Sequence, residues 1–124
     1  MTAKGIILIM TAALLTASAN LMLREGIVRA GGLSLSASVL ASEIGHLLRQ
    51  PLFDVGMLLY GTASLFWFRI VSTEKLNTSY PLFVTFTFLI VTSGATLIFH
   101  EPLSRLKVTG LLIILVGILL VSRS

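Results

Sequence analysis

The stretch "GIILIMTAALLTASANLML", residues 5–23, holds 19 residues and no charged side chain. A helix needs about 20 mostly apolar residues to cross the hydrocarbon core of a bilayer. Three more stretches of this kind follow, at about 52–71, 78–99 and 103–121. The sequence therefore predicts an all-α membrane protein with four transmembrane helices.

The composition supports this fold class. Of the 124 residues, 56% are hydrophobic and 11% are charged, whereas soluble domains carry about 25% charged residues. The net charge is +4, but the basic residues stand singly at the ends of apolar stretches, where lipid headgroups lie. We therefore expect one transmembrane domain over 1–124, contact with membrane lipids and no binding of nucleic acid.

A longer connection, residues 24–50, separates the first two crossings. Apolar residues recur there at three- and four-residue steps, with polar residues on the other side. This pattern predicts an amphipathic interfacial helix at about 34–49, and Pro51 favours the start of the second crossing. The interfacial helix would serve either as a spacer and anchor or as a lateral gate for lipid.

The basic residues are divided almost evenly between the two sides of the predicted membrane. Four lie on the side of the N-terminus and five on the other, which gives almost no positive-inside bias. We expect the chain either to insert in both orientations or to take its orientation from a partner. Four helices of this length enclose little room for a solute, so a dimer is the expected transport unit.

The third crossing opens with "LNTSYPLF", residues 76–83. Pro81 lacks an N–H group and fits the first turn of a helix. Asn77, Thr78 or Ser79 would cap the free backbone N–H groups there. Tyr80 would then lie near the membrane surface, either as an ordinary interfacial aromatic residue or as a ring that lines the substrate path.

Asn20 and Arg24 are the polar candidates of the first crossing. Asn20 would either form an interhelical hydrogen bond or bind sugar hydroxyls. Arg24, at the expected exit of the helix, would either extend to lipid headgroups or bind a phosphate through its forked guanidinium N–H groups.

Arg69 and Glu101 are charged candidates near other membrane boundaries. Arg69 follows three aromatic residues in the second crossing and would either reach the headgroups or form a buried phosphate site. Glu101 precedes Pro102 at the expected start of the fourth crossing. It would either cap that helix at the positive end of its dipole or pair with a basic lipid headgroup.

Gly110 and Gly117 lie seven residues apart on one face of the fourth crossing. Small residues let helices approach closely, so this face predicts either packing within the subunit or a dimer interface. The sequence contains no cysteine, Ser-His-Asp set, phosphate-binding loop or metal-ligand cluster. We therefore expect a protein that is not an enzyme and that needs no metal or cofactor.

Two segments, "LFWFRIVSTEKLNTSYPLF" at 65–83 and "FHEPLSRLKVTGLLIILVGILLV" at 99–121, resemble the second half of a drug/metabolite transporter (EamA-type) repeat. The chain is most similar to the subunits that flip aminoarabinose-phosphoundecaprenol. These share an amide–Leu–x–x–basic run, "LNxxYPL" and a Glu-Pro pair after the third helix, which stand here at 20–24, 76–82 and 101–102. The resemblance covers nearly the whole chain outside 27–50.

Small multidrug resistance exporters also resemble this chain in size and in the last helix. They exchange cations for protons through a glutamate in the middle of their first helix. The first crossing here has no ionisable side chain, whereas a membrane-embedded acid is what binds a desolvated cation. This difference argues against proton-coupled cation export.

The resemblance implies a transporter that flips an undecaprenyl-phosphate-linked sugar across the bacterial inner membrane, as a homodimer or as a heterodimer with a paralogous subunit. It implies that the lipid-linked sugar is bound by Asn20, Arg24, Arg69, Asn77, Tyr80 and Glu101. Two alternatives stay open: a small-cation or multidrug exporter of the small multidrug resistance type, and a non-transporting membrane subunit that partners a glycosyltransferase.

Overall fold

The structure, a computed structural model, describes residues 3–123, and these form five α-helices. The helices are α1 Ala3–Arg29, α2 Leu40–Leu48, α3 Pro51–Thr73, α4 Leu76–Ile98 and α5 Arg105–Arg123. All except the short α2 are long and apolar enough to cross a membrane. The predicted all-α fold with four transmembrane helices and a further helix in the first connection is confirmed.

The helices α1 and α3 run antiparallel in close contact. At the beginning of α1, the Glu74 carboxylate, just beyond the end of α3, lies against Gly5. Near the other end of α1, Gly26 lies against the backbone of Phe53, in the first turn of α3. Glycine is needed at position 26 because a Cβ atom there would come within 2.6 Å of the Phe53 nitrogen.

The helix α4 runs parallel to α1, since Leu21 packs against Gly94 near the ends of both helices. The helix α5 then returns beside α4. The bundle consequently has a proximal end, where α1 and α4 begin and α3 and α5 end, and a distal end with the opposite termini and α2.

The core is built around small residues of α1. Ala12, Ala13, Ala17 and Ala19 are fully buried, as is Ile9, and α1 packs against both α3 and α4. Such residues let neighbouring helices approach closely, which favours van der Waals packing inside a membrane. A cluster that joins the four long helices consists of Ile9, Ala12, Ile70, Leu82 and Ile118.

The helix α5 is the least packed of the four spans. Its main neighbour is α4. Only 6% of the residues in its apolar stretch are buried, compared with 17–28% in the other three spans. One side of α5 is therefore available to lipid or to another protein.

The helix α1 is longer than the expected 5–23 and ends at Arg29. It stops where Gly31 and Gly32 take positive φ angles of 101° and 90°. The Gly32 N–H donates to the Ile27 carbonyl at 2.8 Å, which is the hydrogen bond that closes a glycine-terminated helix. Arg24 consequently lies within α1, and its expected place at the helix exit is wrong.

The helix α4 begins at Leu76, so Pro81 lies inside the helix rather than in its first turn. The backbone of Lys75 is extended (φ −68°, ψ 122°) and marks the start, and its carbonyl accepts the Ser79 N–H at 2.9 Å. The predicted caps from Asn77, Thr78 or Ser79 are therefore wrong, because these residues already belong to the helix.

The helix α2 is shorter than the expected 34–49. Ser34 lies outside it and donates to the Glu43 carboxylate through its backbone N–H, at 2.7 Å, and its hydroxyl, at 2.6 Å. Leu35 has a positive φ of 59°. Local serine hydrogen bonds of this kind compete with helix formation. Pro51 is the first residue of α3, as predicted.

Candidate functional site

An ion pair at the distal end joins two segments that are far apart in the sequence. Arg24, near the end of α1, donates to the carboxylate of Glu101, which lies between α4 and α5 and is 77 positions away. The side chains are 52% and 38% exposed. A ligand can therefore reach both charges.

Phe99 supports the guanidinium of this pair. The central guanidinium carbon of Arg24 lies 4.8 Å from the centroid of the Phe99 ring. A cation over an aromatic face is attracted by the electron density of the ring. Phe99 thus gives Arg24 a second contact that does not depend on Glu101.

Glu101 does not cap the last helix, and that expectation is wrong. Ser104 takes this position, since its hydroxyl oxygen accepts the Lys107 N–H at 3.2 Å. The chain turns at His100, which has a positive φ of 56°, and the Glu101 N–H donates to the Ala95 carbonyl at 3.3 Å. This turn places Glu101 beside α1. Glu101 is three residues before the capping Ser104 and does not take part in the cap.

Behind the ion pair, a groove of about 360 Å³ runs between α4 and α5. Its volume falls in the range of small-molecule sites, about 300–1,000 Å³. Four of its residues are polar, and the rest of the wall is apolar apart from Gly110. The polar residues are Thr92, Thr96, Glu101 and Lys107. Charged groups at one end and an apolar wall along the helices suit a ligand that is itself amphipathic.

Asn20 belongs to the distal group through the geometry of α1. It is half-buried and precedes Arg24 by four residues, so the two side chains lie on the same side of the helix, one turn apart. The structure thus brings together three of the six predicted substrate-binding residues: Asn20, Arg24 and Glu101.

The other three predicted residues lie at the proximal end. Arg69, Asn77 and Tyr80 are exposed there, near the end of α3 and the start of α4. The Tyr80 ring meets Trp67 edge to face, with 5.8 Å between ring centroids. The ring centroids of Trp67 and Phe83 lie 4.6 Å apart. The candidate residues therefore form two separate groups, one at each end of the bundle.

The two glycines predicted for a dimer interface have open space beside them. Apart from the glycine itself, its chain neighbours and the nearby backbone of α5, no described atom lies within 4 Å of a Cβ atom built on Gly110 or Gly117. Gly110 also lines the distal groove, whereas Gly117 lies further along α5 and is exposed.

Sequence reasoning missed several residues of the distal site. Lys107, Phe99, Thr92 and Thr96 were not among the predicted site residues. The two threonines are spaced four apart on α4, a periodicity that shows a shared face but not what that face meets. The contact between Arg24 and Glu101 has no local sequence signal, because it depends on how α1 packs in the bundle.

Comparisons with known proteins identify relatives with one shared name. No protein-family model matches the chain, and no solved structure matches it. A protein of Pseudomonas aeruginosa (strain UCBPP-PA14) is 32% identical over 77 residues, which cover 62% of this chain and 66% of the relative. The match thus spans slightly less than two thirds of that relative's length.

Two other relatives give the same result. A protein of Enterobacter sp. (strain 638) is 33% identical over 66 residues, 53% of this chain and 61% of the relative. One of Sodalis glossinidius (strain morsitans) is 32% identical over 83 residues, 67% of this chain and 72% of the relative. All three are named "Probable 4-amino-4-deoxy-L-arabinose-phosphoundecaprenol flippase subunit ArnE". With this identity over most of the Sodalis protein, and with four helices able to span a membrane, the chain belongs to the family of small membrane proteins that carry the name ArnE.

Proposed function

We propose that the chain is a subunit of a flippase that moves an undecaprenyl-phosphate-linked aminosugar between the two leaflets of the membrane. The observation that carries this proposal is the Arg24–Glu101 ion pair at the mouth of the groove between α4 and α5. It offers both charges to a headgroup beside an apolar wall. The names of the relatives support the same substrate class.

The setting for this activity is the bacterial inner membrane, in which a member of this family with four membrane-spanning helices is a multi-pass protein. Transport rather than catalysis is the proposed role. Binding and release of a headgroup need polar contacts and charge, and neither requires a nucleophile or a cofactor.

In the distal site, the positive groups would bind the phosphate. Arg24 presents a planar fork of N–H donors that matches phosphate oxygens, and Lys107 adds a second positive charge at the same groove. Asn20 and Thr92 would bind sugar hydroxyls. The polyprenyl tail would stay in the lipid, along the apolar side of the bundle.

The proximal group would receive the headgroup in the opposite leaflet. Arg69 would contact the phosphate there, and Asn77 and Tyr80 would contact the sugar. The edge-to-face contact between Tyr80 and Trp67 holds the tyrosine ring at this end. A flippase requires a headgroup site in each leaflet, and the division of the six candidates into two groups supports this arrangement.

We propose that the chain works with a second subunit, either another copy or a paralogue, that packs on the α5 face containing Gly110 and Gly117. The open space at both glycines and the low burial of α5 support this proposal. Because Gly110 also borders the groove, a partner on this face would close it from the side. Rocking of the two subunits would then expose the site to each leaflet in turn.

A lipid-exchange assay tests this function. The protein, with any subunit that copurifies with it, is reconstituted into liposomes that contain radiolabelled undecaprenyl phosphate aminoarabinose. Periodate, which does not cross the bilayer, then destroys the sugar in the outer leaflet. We expect Arg24→Ala to slow lipid exchange by a factor of about 10–100, because one charge-assisted contact is worth about 1.5–3 kcal/mol and 1.4 kcal/mol is a factor of ten.

Arg29→Ala is the matched control. Arg29 also forms an ion pair on α1, with Glu25 at 2.9 Å, but Glu25 does not line the groove, whereas Glu101, the partner of Arg24, does. This variant should exchange lipid at close to the wild-type rate. Absence of exchange by the wild-type protein would contradict the flippase proposal and favour a non-transporting subunit. Equal rates for wild type and Arg24→Ala would remove Arg24 from the site.

A further inference from the structure

We propose that the distal site selects headgroups that carry both a positive and a negative charge, by exchanging the Arg24–Glu101 ion pair for two ion pairs with the ligand. In this exchange Glu101 binds the amine of the sugar, and Arg24 with Lys107 binds the phosphate. The inference rests on the proposed flippase function and assigns recognition of the amine to Glu101.

The first support is that the Arg24–Glu101 pair is accessible and free to open. Both side chains are partly exposed, and exposed ion pairs add little to stability. Glu101 has no capping role that would hold it, since Ser104 caps α5. The carboxylate can therefore change partner without loss of the fold.

The second support is that Arg24 stays in position when Glu101 leaves it. Its guanidinium lies over the Phe99 ring at 4.8 Å, and this cation–π contact is independent of the carboxylate. Arg24 thus keeps a contact with Phe99, two residues before Glu101, when a phosphate arrives.

The third support is the balance of charge at the groove. Glu101 and Lys107 line the same cavity, and Arg24 is bound to Glu101. A ligand with only a phosphate can be bound by Lys107 while Arg24 stays paired with Glu101, so it gains nothing from that pair. A ligand with only an amine would take Glu101 and leave Arg24 without its carboxylate. A headgroup with both charges gives Glu101 and Arg24 a new partner each, so it alone makes the full set of ion pairs.

The test compares two lipids that differ in one charge. One is undecaprenyl phosphate aminoarabinose, and the other is the same lipid with its amine formylated and therefore neutral. Periodate cleaves the sugar diol in both, so the liposome assay reads both rates. We expect the wild-type protein to exchange the amine lipid at least tenfold faster than the formylated lipid.

The decisive variant is Glu101→Gln, which keeps the size of the side chain and removes its charge. We expect it to exchange the amine lipid as slowly as the formylated lipid, with the rate for the formylated lipid unchanged or raised. Glu101→Asp keeps the carboxylate and should retain a preference for the amine. Glu25→Gln, which removes the carboxylate paired with Arg29, is the matched control and should keep the full wild-type preference.

Three results would overturn the inference, and they differ from one another. Equal wild-type rates for the two lipids would refute charge selection while leaving the flippase proposal intact. A Glu101→Gln variant that slows both lipids by the same factor would show that Glu101 has only a structural role. Exchange of neither lipid by the wild-type protein would refute the proposed function and, with it, this inference.

Discussion

At the scale of single residues, the Glu43 carboxylate shows how one side chain fixes a loop. It accepts hydrogen bonds from the hydroxyl and the backbone N–H of Ser34. These two hydrogen bonds hold the pKa of Glu43 below its ordinary value, and the bond from the hydroxyl has the larger effect. Glu43 lies on α2, outside the membrane-spanning helices, so solvent pH acts on it directly.

The lowered pKa predicts a dependence on acid. A carboxyl whose pKa is depressed by folding stabilises the fold at pH values above its unfolded pKa, and this contribution is lost as the pH falls through the folded pKa. The connection between α1 and α2 should therefore be ordered at neutral pH and loosen in acid. Because the chain has no cysteine, a nitroxide on Ser38→Cys reports the motion of this segment alone by electron paramagnetic resonance.

In the Glu43→Gln variant, we expect the label to be mobile already at neutral pH and its mobility to be independent of pH. Glu25→Gln, which removes a carboxylate from α1, should leave the acid transition unchanged. A label that behaves identically in wild type and Glu43→Gln would show that Ser34 is held by something else.

Three residues of the candidate distal site could be picked out individually from the sequence, but their grouping could not. Asn20, Arg24 and Glu101 each stood out as polar groups at the ends of apolar runs. Their proximity depends on the packing of α1 against α4 and on the turn at His100. Neither is visible in local sequence patterns, since the contact spans 77 positions.

At the scale of elements, two glycines occupy opposite environments. Gly26 lies against the Phe53 backbone, where an added Cβ atom would come within 2.6 Å of the nitrogen. At Gly117, an added Cβ atom would have no described atom within 4 Å apart from the neighbouring backbone of α5 itself. Gly26 thus allows the close contact between α1 and α3, whereas Gly117 lies on a face of α5 that no other helix among the described residues covers.

We therefore expect Gly26→Ala to lower the free energy of unfolding by about 1–3 kcal/mol, because the helices must separate to accept the methyl group. Gly117→Leu should leave it within about 1 kcal/mol of wild type. Reversible unfolding in mixed micelles measures both values. A Gly26→Ala variant as stable as wild type would contradict the close contact between α1 and α3.

The same Gly117→Leu variant tests the proposed dimer face. A leucine there should weaken association with the second subunit, measured by energy transfer between labelled subunits in liposomes. Unchanged energy transfer would place the interface elsewhere on the bundle.

The sequence predicts the bounds of a helix well where the apolar stretch and the helix have the same length. The bounds of α3, α4 and α5 differ from the expected 52–71, 78–99 and 103–121 by at most two residues. The end of α1 differs by six, because its last turns carry charges such as Glu25 and Arg29, which form an ion pair on the helix surface. Hydropathy detects the part of a helix that lies in lipid and misses such a continuation.

At the scale of the whole molecule, the two groups of polar residues lie at opposite ends of a bundle whose central helix, α1, is uncharged in its middle. Within α1, no ionisable side chain lies between Lys4 and Arg24. The ends also carry nearly equal numbers of basic residues, so neither end is marked strongly for the cytoplasm. Recognition by charge is therefore possible in each leaflet, and the middle of α1 offers only neutral polar contacts.

This arrangement leads to the claim that the protein recognises its cargo through charges at the ends of the bundle and not through a titrating acid in the first span. The direct measurement is proton movement in liposomes that contain the purified protein and a pH-sensitive dye. We expect exchange of undecaprenyl phosphate aminoarabinose, and no proton flux when a quaternary ammonium cation is added to one side. Proton flux driven by that cation, without exchange of the lipid, would contradict the claim.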